Sequence, residues 1–193
     1  EPMFVAQSGI MKSVLQRFNQ LVENKANLLL RGEKGVGKGT FLQKAIQQLG
    51  DRGLQVFKLR HHATKIQDLF QAPSGSVISV SDIDELNEEQ QEVLSKLLKS
   101  RQSNDLHTIW LATSVHNLES LAEAGKFNME LYYQLNFTNL LLPPLEHRRE
   151  DMPEIISTYL AKSSHVLKIP LPPIPERIVD DIFERKLDEN FND

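Results

Sequence analysis

A glycine-rich run between an apolar segment and a helical pattern restricts this chain to a small number of folds. The run extends from Gly32 to Gly39, after Leu28-Leu29-Leu30 and before an amphipathic pattern that ends at Gly50. A strand, a glycine-rich turn and a helix in this order form a P-loop, whose backbone N–H groups surround phosphate oxygens at the positive end of the helix. The sequence therefore predicts a nucleotide-binding loop. Its residues are Gly32, Glu33, Lys34, Gly35, Val36, Gly37, Lys38, Gly39 and Thr40.

Lys38 is placed to reach the β and γ phosphates, but the next residue departs from the motif. A P-loop has Ser or Thr at that position as a ligand for Mg²⁺, and this chain has Gly39. Thr40 comes one residue later, and one residue rotates a side chain by about 100° around a helix. The pattern therefore predicts binding of ATP or ADP and leaves the use of Mg²⁺ open.

A second acidic motif is expected at the end of another strand. P-loop enzymes place an Asp there to hold Mg²⁺ through its water shell, often followed by a Glu that polarises the attacking water. Here the predicted strand 76–80 is followed by Ser81, and Asp82 is the residue left at the degenerate motif. Alternatively, Asp82, Asp84 and Glu85 only place negative charge at the N-terminus of the next helix.

Strand and helix patterns alternate along the chain, which predicts an α/β fold with a mostly parallel sheet covered on both faces. The predicted strands are 27–31, 54–59, 76–80, 108–112 and 137–142. The predicted helices begin after a Ser8 cap, at Lys38 and near Leu86, with further helices at 64–71, 151–163 and 175–188.

Composition excludes several classes of protein. The chain has 193 residues and no Cys, so we expect no disulfide and no thiolate metal site. Its net charge is −4, so we expect no direct binding to nucleic acid. No apolar run approaches the length of a membrane span, so we expect no membrane contact and a cytoplasmic location. The six His residues are scattered, and we expect no metal site. The termini predict a fragment of a longer protein.

Four further motifs carry a specific resemblance. They are Ala112-Thr113-Ser114, Gly125-Lys126-Phe127, the run Glu130–Leu135 and the run Pro143–Met152. With the P-loop, they resemble the central AAA+ domain of sigma-54-type bacterial enhancer-binding proteins, from Ser8 to about Met152. The resemblance implies a five-stranded AAA+ α/β core over residues 1–147 and the start of a helical lid over 148–193. It also implies a ring assembly and, outside this fragment, a sensor domain and a DNA-binding helix-turn-helix.

Several positions depart from that family. The chain has Gly39 where the family has Glu, Ser81-Asp82 where it has Asp-Glu, and Ser114 beside Thr113 where its sensor has Asn. Asn128 and Gln134 stand where the family carries two Arg residues that act on a neighbouring subunit's nucleotide. The segment between Leu59 and Val77 has no GAFTGA loop for sigma-54 contact. These departures predict loss of hydrolysis, whereas the glycine amides and Lys38 still predict nucleotide binding.

Three hypotheses follow. The first is a regulatory module that binds ATP, ADP or cyclic di-GMP and self-associates as a dimer or hexameric ring, with RNA polymerase contacted through the parent protein. Cyclic di-GMP is included because degenerate biofilm and flagellar regulators of the family respond to it. A cyclic dinucleotide usually needs arginines to bind its phosphates and guanines. The available arginines are Arg17, Arg31, Arg52, Arg60, Arg101, Arg148 and Arg149.

The second hypothesis is an active Mg²⁺-dependent ATPase that remodels a transcription complex. It needs Asp82 or Asp84 to hold Mg²⁺, and Arg148 or Arg149 to act across a subunit interface. The third hypothesis is a structural spacer that dimerises and binds no nucleotide.

Overall fold

The structure, a computed structural model, describes residues 5–59, 66–104, 107–135 and 137–168, together with residues 170, 177 and 180. Within these ranges, strands alternate with helices as predicted. The strands are β1 Leu28–Arg31, β2 Val56–Leu59, β3 Ser76–Val80, β4 Thr108–Ser114 and β5 Thr138–Leu141. The helices are α1 Gly9–Glu23, α2 Lys38–Asp51, α3 Glu88–Ser103, α4 Leu118–Glu123, α5 Met129–Leu135 and α6 Met152–Leu167. Four 3-10 helices lie at Ile66–Gln71, Ile83–Glu85, Leu145–His147 and Arg149–Asp151.

The five strands form one parallel sheet in the order β2-β3-β4-β1-β5. In the centre, Leu29 lies opposite Ala112 of β4 on one side and Asn139 of β5 on the other. All the carboxyl ends therefore meet at one edge, where open α/β sheets bind their ligands. The loop that follows β1 lies at this edge, and the predicted α/β architecture is confirmed.

The sheet is buried on both faces because its side chains alternate between two helical layers. Leu28 and Leu30 pack against α1 and α2. Leu29 points the other way, into a cluster built by α3, α4 and α5. A third, smaller cluster joins Val5 to Leu145 and the first turns of α6. This cluster attaches α6 to the segment before α1, beside the carboxyl edge of the sheet.

Capping residues determine where α1 and α3 begin. The side chain of Ser8 accepts a hydrogen bond from Met11 N and caps α1, as predicted. Asn87 and Gln90 form a capping box, which begins α3 after Leu86 and not at it. The second predicted strand begins two residues late, at Val56, and α6 continues to Leu167. The predicted helix at 175–188 falls mainly outside the described residues, and the boundary at 147/148 remains a prediction. Of the helices that are described, none combines the length and the apolar character needed to cross a membrane.

Candidate functional site

The loop between β1 and α2 depends on three glycines. Gly35 and Gly37 have φ angles of 73° and 103°, which strongly favour glycine. Gly32 is required for a different reason. A Cβ atom on Gly32 would lie 2.8 Å from Val36 Cγ1 and 3.0 Å from the Leu142 carbonyl oxygen. The loop therefore folds closely against its own Val36 and against the end of β5.

Lys38 lies inside this loop. It is the first residue of α2 and is 3% exposed. Its Nζ donates hydrogen bonds to the carbonyl oxygens of Gly32 at 2.9 Å and Glu33 at 2.7 Å. The ammonium group is thus held where the loop closes, at the positive end of α2. A phosphate at this point would meet a cation and a helix N-terminus together. The neighbouring Gly39 and Thr40 are half-buried in the first turn of α2.

A cleft opens between this loop and α6, and the space inside it, including the part open to solvent, is about 530 Å³. Apolar side chains supply most of its walls, and a few polar groups converge on it, which is typical of small-molecule sites. The lining residues are Val5, Gly35, Val36, Gly37, Thr40, Phe41, Leu145, Arg148, Ile155, Thr158 and Tyr159. Among the described residues, the buried Thr158 Oγ1 has no hydrogen-bond partner.

The arginines after β5 have different surroundings. Arg148 is 5% exposed, its Nε lies 3.0 Å from Asp151 Oδ2, and its Nη1 donates to Val36 O at 3.2 Å. Arg149 has a side chain that is 58% exposed and is ion-paired with Asp180. Arg148 therefore lines the cleft of its own chain. Because Arg148 is buried, it is poorly placed to act across a subunit interface, as the second hypothesis requires.

The acidic residues after β3 divide into two environments. Asp82 has a left-handed backbone with φ of 51°, and its N–H donates to Thr113 Oγ1 at 2.8 Å. Asp84 Oδ2 accepts hydrogen bonds from Val115 N, His116 N and His116 Nδ1 at 3.1, 3.0 and 2.7 Å. Asp84 therefore holds the loop after β4, whereas Asp82 lies beside Thr113. Both Asp84 and Glu85 lie in a 3-10 helix, and α3 begins later.

Positions where the family resemblance implied charged or sensor residues make hydrogen bonds within the chain. Ser114 is fully buried and its Oγ donates to His116 O at 2.7 Å. Asn128 caps α5, since its Oδ1 accepts from Leu131 N at 2.8 Å. Gln134 Oε1 accepts from Ser95 Oγ of α3 at 3.0 Å. Each side chain is neutral and stabilises a local contact.

The sequence gives little indication of three of these contributors: Val5, Thr158 and Asp151. The spacing of Arg148 and Asp151 is a local signal, because residues three apart face each other on a helical turn. The contact of Asp151 with Ser8 spans 143 positions and has no such signal. For metals, the described ranges contain no group of three or more His, Asp or Glu that could hold an ion.

Comparisons with known proteins agree on one family. The family model described as the Sigma-54 interaction domain matches residues 5–145. The chain is 26% identical to the phenol regulator MopR of Acinetobacter guillouiae, over 82% of this chain and 34% of MopR. It is 26% identical to the HTH-type transcriptional regulatory protein TyrR of Salmonella typhimurium, over 87% of this chain and 37% of TyrR. The chain thus spans about a third of the length of these curated relatives.

Solved structures support the same fold. The structure of NtrX from Brucella abortus in complex with ADP matches with a TM-score of 0.78 and 14% identity, over 94% of this chain and 47% of NtrX. AMPPCP-bound DnaA from Aquifex aeolicus matches with a TM-score of 0.61 and 14% identity, over 95% of this chain and 59% of DnaA. The sheet, the loop after β1 and the family match agree: the chain has an AAA+ fold and belongs to the Sigma-54 interaction domain family.

Proposed function

We propose that this chain is the central domain of a bacterial DNA-binding transcription regulator, and that it binds ATP or ADP and self-associates without efficient hydrolysis or sigma-54 contact. Residues Gly32–Thr40 would hold the phosphates, and the cleft beside α6 would hold the base. Two relatives, the phenol regulator MopR and the transcriptional regulatory protein TyrR, support the regulatory role. The NtrX and DnaA structures, which contain ADP and AMPPCP, support the choice of ligand.

The observation that carries the proposal is the contrast between groups that bind a nucleotide and groups that would stabilise its hydrolysis. The loop glycines, the enclosed Lys38 ammonium and the cleft all act on the bound ground state. They are complete in the described part of the chain. The proposed binding therefore uses groups that the described residues supply.

Hydrolysis has less support. An arginine finger contributes roughly 10³–10⁵ in rate, and the two positions that would supply it are Asn128 and Gln134. Neither amide carries the charge that a transferring phosphoryl group requires. Ser81 stands at the first acidic position, and the carboxylate of Asp84 already accepts three hydrogen bonds from the loop after β4. The missing arginines and the missing acidic residue would all stabilise the same transition state, so their effects on the rate add up.

An active Mg²⁺-dependent ATPase is the second candidate. Asp82 favours it, because this residue keeps a carboxylate at the end of β3 beside Thr113. This candidate also needs a cation from a neighbouring subunit, for which the exposed Arg149 is better placed than the buried Arg148. It predicts Mg²⁺-dependent phosphate release whose specific rate rises with protein concentration.

Cyclic di-GMP is the other ligand to test. It needs arginines that are free to bind phosphates and guanines. Among the candidates, Arg101 is 3% exposed and donates to the carbonyl oxygens of Ala72 and Pro73 at 2.9 and 3.0 Å. Arg148 is held by Asp151. These two arginines would have to leave existing partners to bind it.

The test combines calorimetric and thermal-shift titrations of ATP, ADP and cyclic di-GMP with a phosphate-release assay, each with and without Mg²⁺. We expect ATP or ADP to raise the melting temperature, since a ligand that binds only the folded state stabilises it by RT ln(1 + [L]/Kd). We expect no phosphate release above the background of a Lys38→Met variant. Release that needs Mg²⁺ and Lys38 would establish the ATPase, and the absence of any shift would support the structural spacer.

Assembly and partners form a separate part of the proposal. RNA polymerase would be contacted through the parent protein, and DNA through a helix-turn-helix outside this fragment. The dimer and the hexameric ring are both compatible with a domain whose neighbour-directed arginines are replaced. Sedimentation velocity with and without ATP distinguishes them, and a strictly monomeric chain at all concentrations would remove self-association from the proposal.

A further inference from the structure

A buried carboxylate outside the phosphate loop connects three separate segments of the chain. Asp151, just before α6, has no exposed surface. Its Oδ1 accepts hydrogen bonds from the N–H groups of Gln7 and Ser8 at 2.6 and 2.7 Å. Its Oδ2 accepts from Ser8 Oγ at 2.9 Å and from Arg148 Nε at 3.0 Å. Hydrogen bonds to an ionised acceptor are stronger than neutral ones, so one carboxylate fixes all these groups.

Arg148 extends this connection into the phosphate loop. Its Nη1 donates to the carbonyl oxygen of Val36 at 3.2 Å, between the two left-handed glycines of the loop. Because Arg148 is 5% exposed, its guanidinium would be a buried, uncompensated charge without Asp151. The position of Arg148, and with it the hold on Val36, therefore depends on the carboxylate of Asp151.

The other branch of the connection fixes a wall of the cleft. Val5, which lines the cleft, packs with Leu145 and Ile155 and lies two residues before Gln7. The backbone of residues 7 and 8 is held by Asp151, and Ser8 also begins α1. The carboxylate of Asp151 therefore holds the phosphate loop, through Arg148, and also holds the segment that carries Val5 in the apolar wall of the cleft.

We propose that Asp151 is a positioning residue that couples residues 5–8 to the phosphate loop, so that nucleotide affinity depends on how this segment is held. The inference rests on the proposed nucleotide binding and adds an input to it. A force or a contact that displaces residues 5–8 also displaces the loop, through Asp151 and Arg148. Because linkage is reciprocal, a nucleotide in the loop must in turn stabilise residues 5–8.

Three variants separate the branches of this connection. Asp151→Asn replaces an acceptor oxygen by an NH₂ group that faces donors, and so weakens both branches. Arg148→Met removes only the branch to the loop, because Asp151 can still accept from Gln7 and Ser8. Glu150→Gln neutralises the adjacent, exposed carboxylate and is the matched control. Amide hydrogen exchange is measured by NMR for each protein, without ligand and with ATP.

Without ligand, we expect the hydrogen-bonded amides of the loop, Val36 N to Glu33 O and Phe41 N to Gly37 O, to exchange at least tenfold faster in Asp151→Asn than in the wild type, with the amides of β4 unchanged. The Arg148→Met variant should accelerate the same loop amides while Gln7 and Ser8 stay protected. With ATP, the Gln7 and Ser8 amides should slow further in the wild type and in Glu150→Gln, and this additional protection should be absent from Arg148→Met.

Three results would overturn the coupling. The loop amides of Asp151→Asn could exchange at wild-type rates. All its amides, including those of β4, could accelerate equally, which would indicate a general loss of stability. Arg148→Met could retain the ATP-dependent protection of Gln7 and Ser8. If ATP protects no amide of the wild type, the proposed nucleotide binding fails, and the comparison without ligand still decides the coupling.

Discussion

Gly32 provides a sharp test of the loop geometry, because an added methyl group has no space there. In Gly32→Ala the new Cβ would lie 2.8 Å from Val36 Cγ1, 3.0 Å from Leu142 O and 3.3 Å from Leu142 Cβ. Val36 is 3% exposed and β-branched, so its side chain has few alternative rotamers. Leu142 N donates to Arg31 O at 2.7 Å, which ties the end of β5 to β1. Neither neighbour can withdraw without breaking a native contact.

Forcing an extra methyl group into a packed site costs about 1–3 kcal/mol. Because one neighbour is backbone and the other is a buried, stiff side chain, we expect Gly32→Ala to lie in the upper half, at about 2–3 kcal/mol. For a chain of this length, each kcal/mol lowers the melting temperature by about 2–4 °C, so a decrease of about 4–12 °C is expected. Urea denaturation followed by circular dichroism gives the free energy directly.

Gly50→Ala is the matched control. Gly50 lies near the end of α2, is exposed, and a Cβ there meets no atom within 4 Å. Alanine is favoured over glycine in helices by about 0.5–1 kcal/mol, so this variant should be more stable than the wild type. The reasoning about close packing at the loop is refuted if Gly32→Ala lies within about 0.5 kcal/mol of the wild type, the limit typical of surface substitutions.

Three further variants test individual groups of the site. Lys38→Met should abolish the ATP-dependent rise in melting temperature, whereas Lys126→Met, on the surface, should keep it; an unchanged rise in both would remove Lys38 from the site. Thr158→Val should not lower the free energy of unfolding, because the buried Thr158 Oγ1 has no hydrogen-bond partner to lose; a loss of about 1 kcal/mol or more in urea denaturation would show that this hydroxyl is bonded. Asp84→Ala should lower the free energy of unfolding by about 2 kcal/mol at unchanged ATP affinity; lost Mg²⁺-dependent binding at unchanged stability would instead make Asp84 a metal ligand.

Local segments account for what the sequence predicts well. The five strands are short segments, either largely apolar or alternating between apolar and polar residues, and the phosphate loop lies in one continuous stretch, so neither requires a distant partner. Strand ends are less accurate because pairing decides them. The strand predicted at 108–112 continues to Ser114, which pairs with Arg31 at the end of β1. The predicted strand 54–59 begins at Val56, where pairing with Val77 starts.

The rest of the site depends on contacts between distant positions. Asp84 is an acidic residue at a place where Mg²⁺ chemistry is expected, and only the loop 31 and 32 residues later reveals its hydrogen-bond donors. Asn128 and Gln134 could be identified as neutral replacements from the sequence. The bond of Gln134 with Ser95 follows only from the packing of α5 on α3, whereas Asn128 caps α5 through a contact three residues along the chain. The sequence shows whether a side chain carries a charge, but only the folded structure shows which groups that side chain contacts.

On the proposed function, the pattern of retained and lost groups implies an equilibrium switch. A domain that binds nucleotide without turnover cannot drive a cycle, because no step is made irreversible by hydrolysis. Its occupancy then follows nucleotide concentration and Kd alone, and a ligand at 100 times Kd stabilises the bound form by about 2.7 kcal/mol. That energy equals the cost expected for Gly32→Ala, so saturating ATP should restore the melting temperature of this variant only if the distorted loop still binds. Failure of ATP to restore it, while wild type responds, would place the close contact of Gly32 with Val36 within the binding site itself.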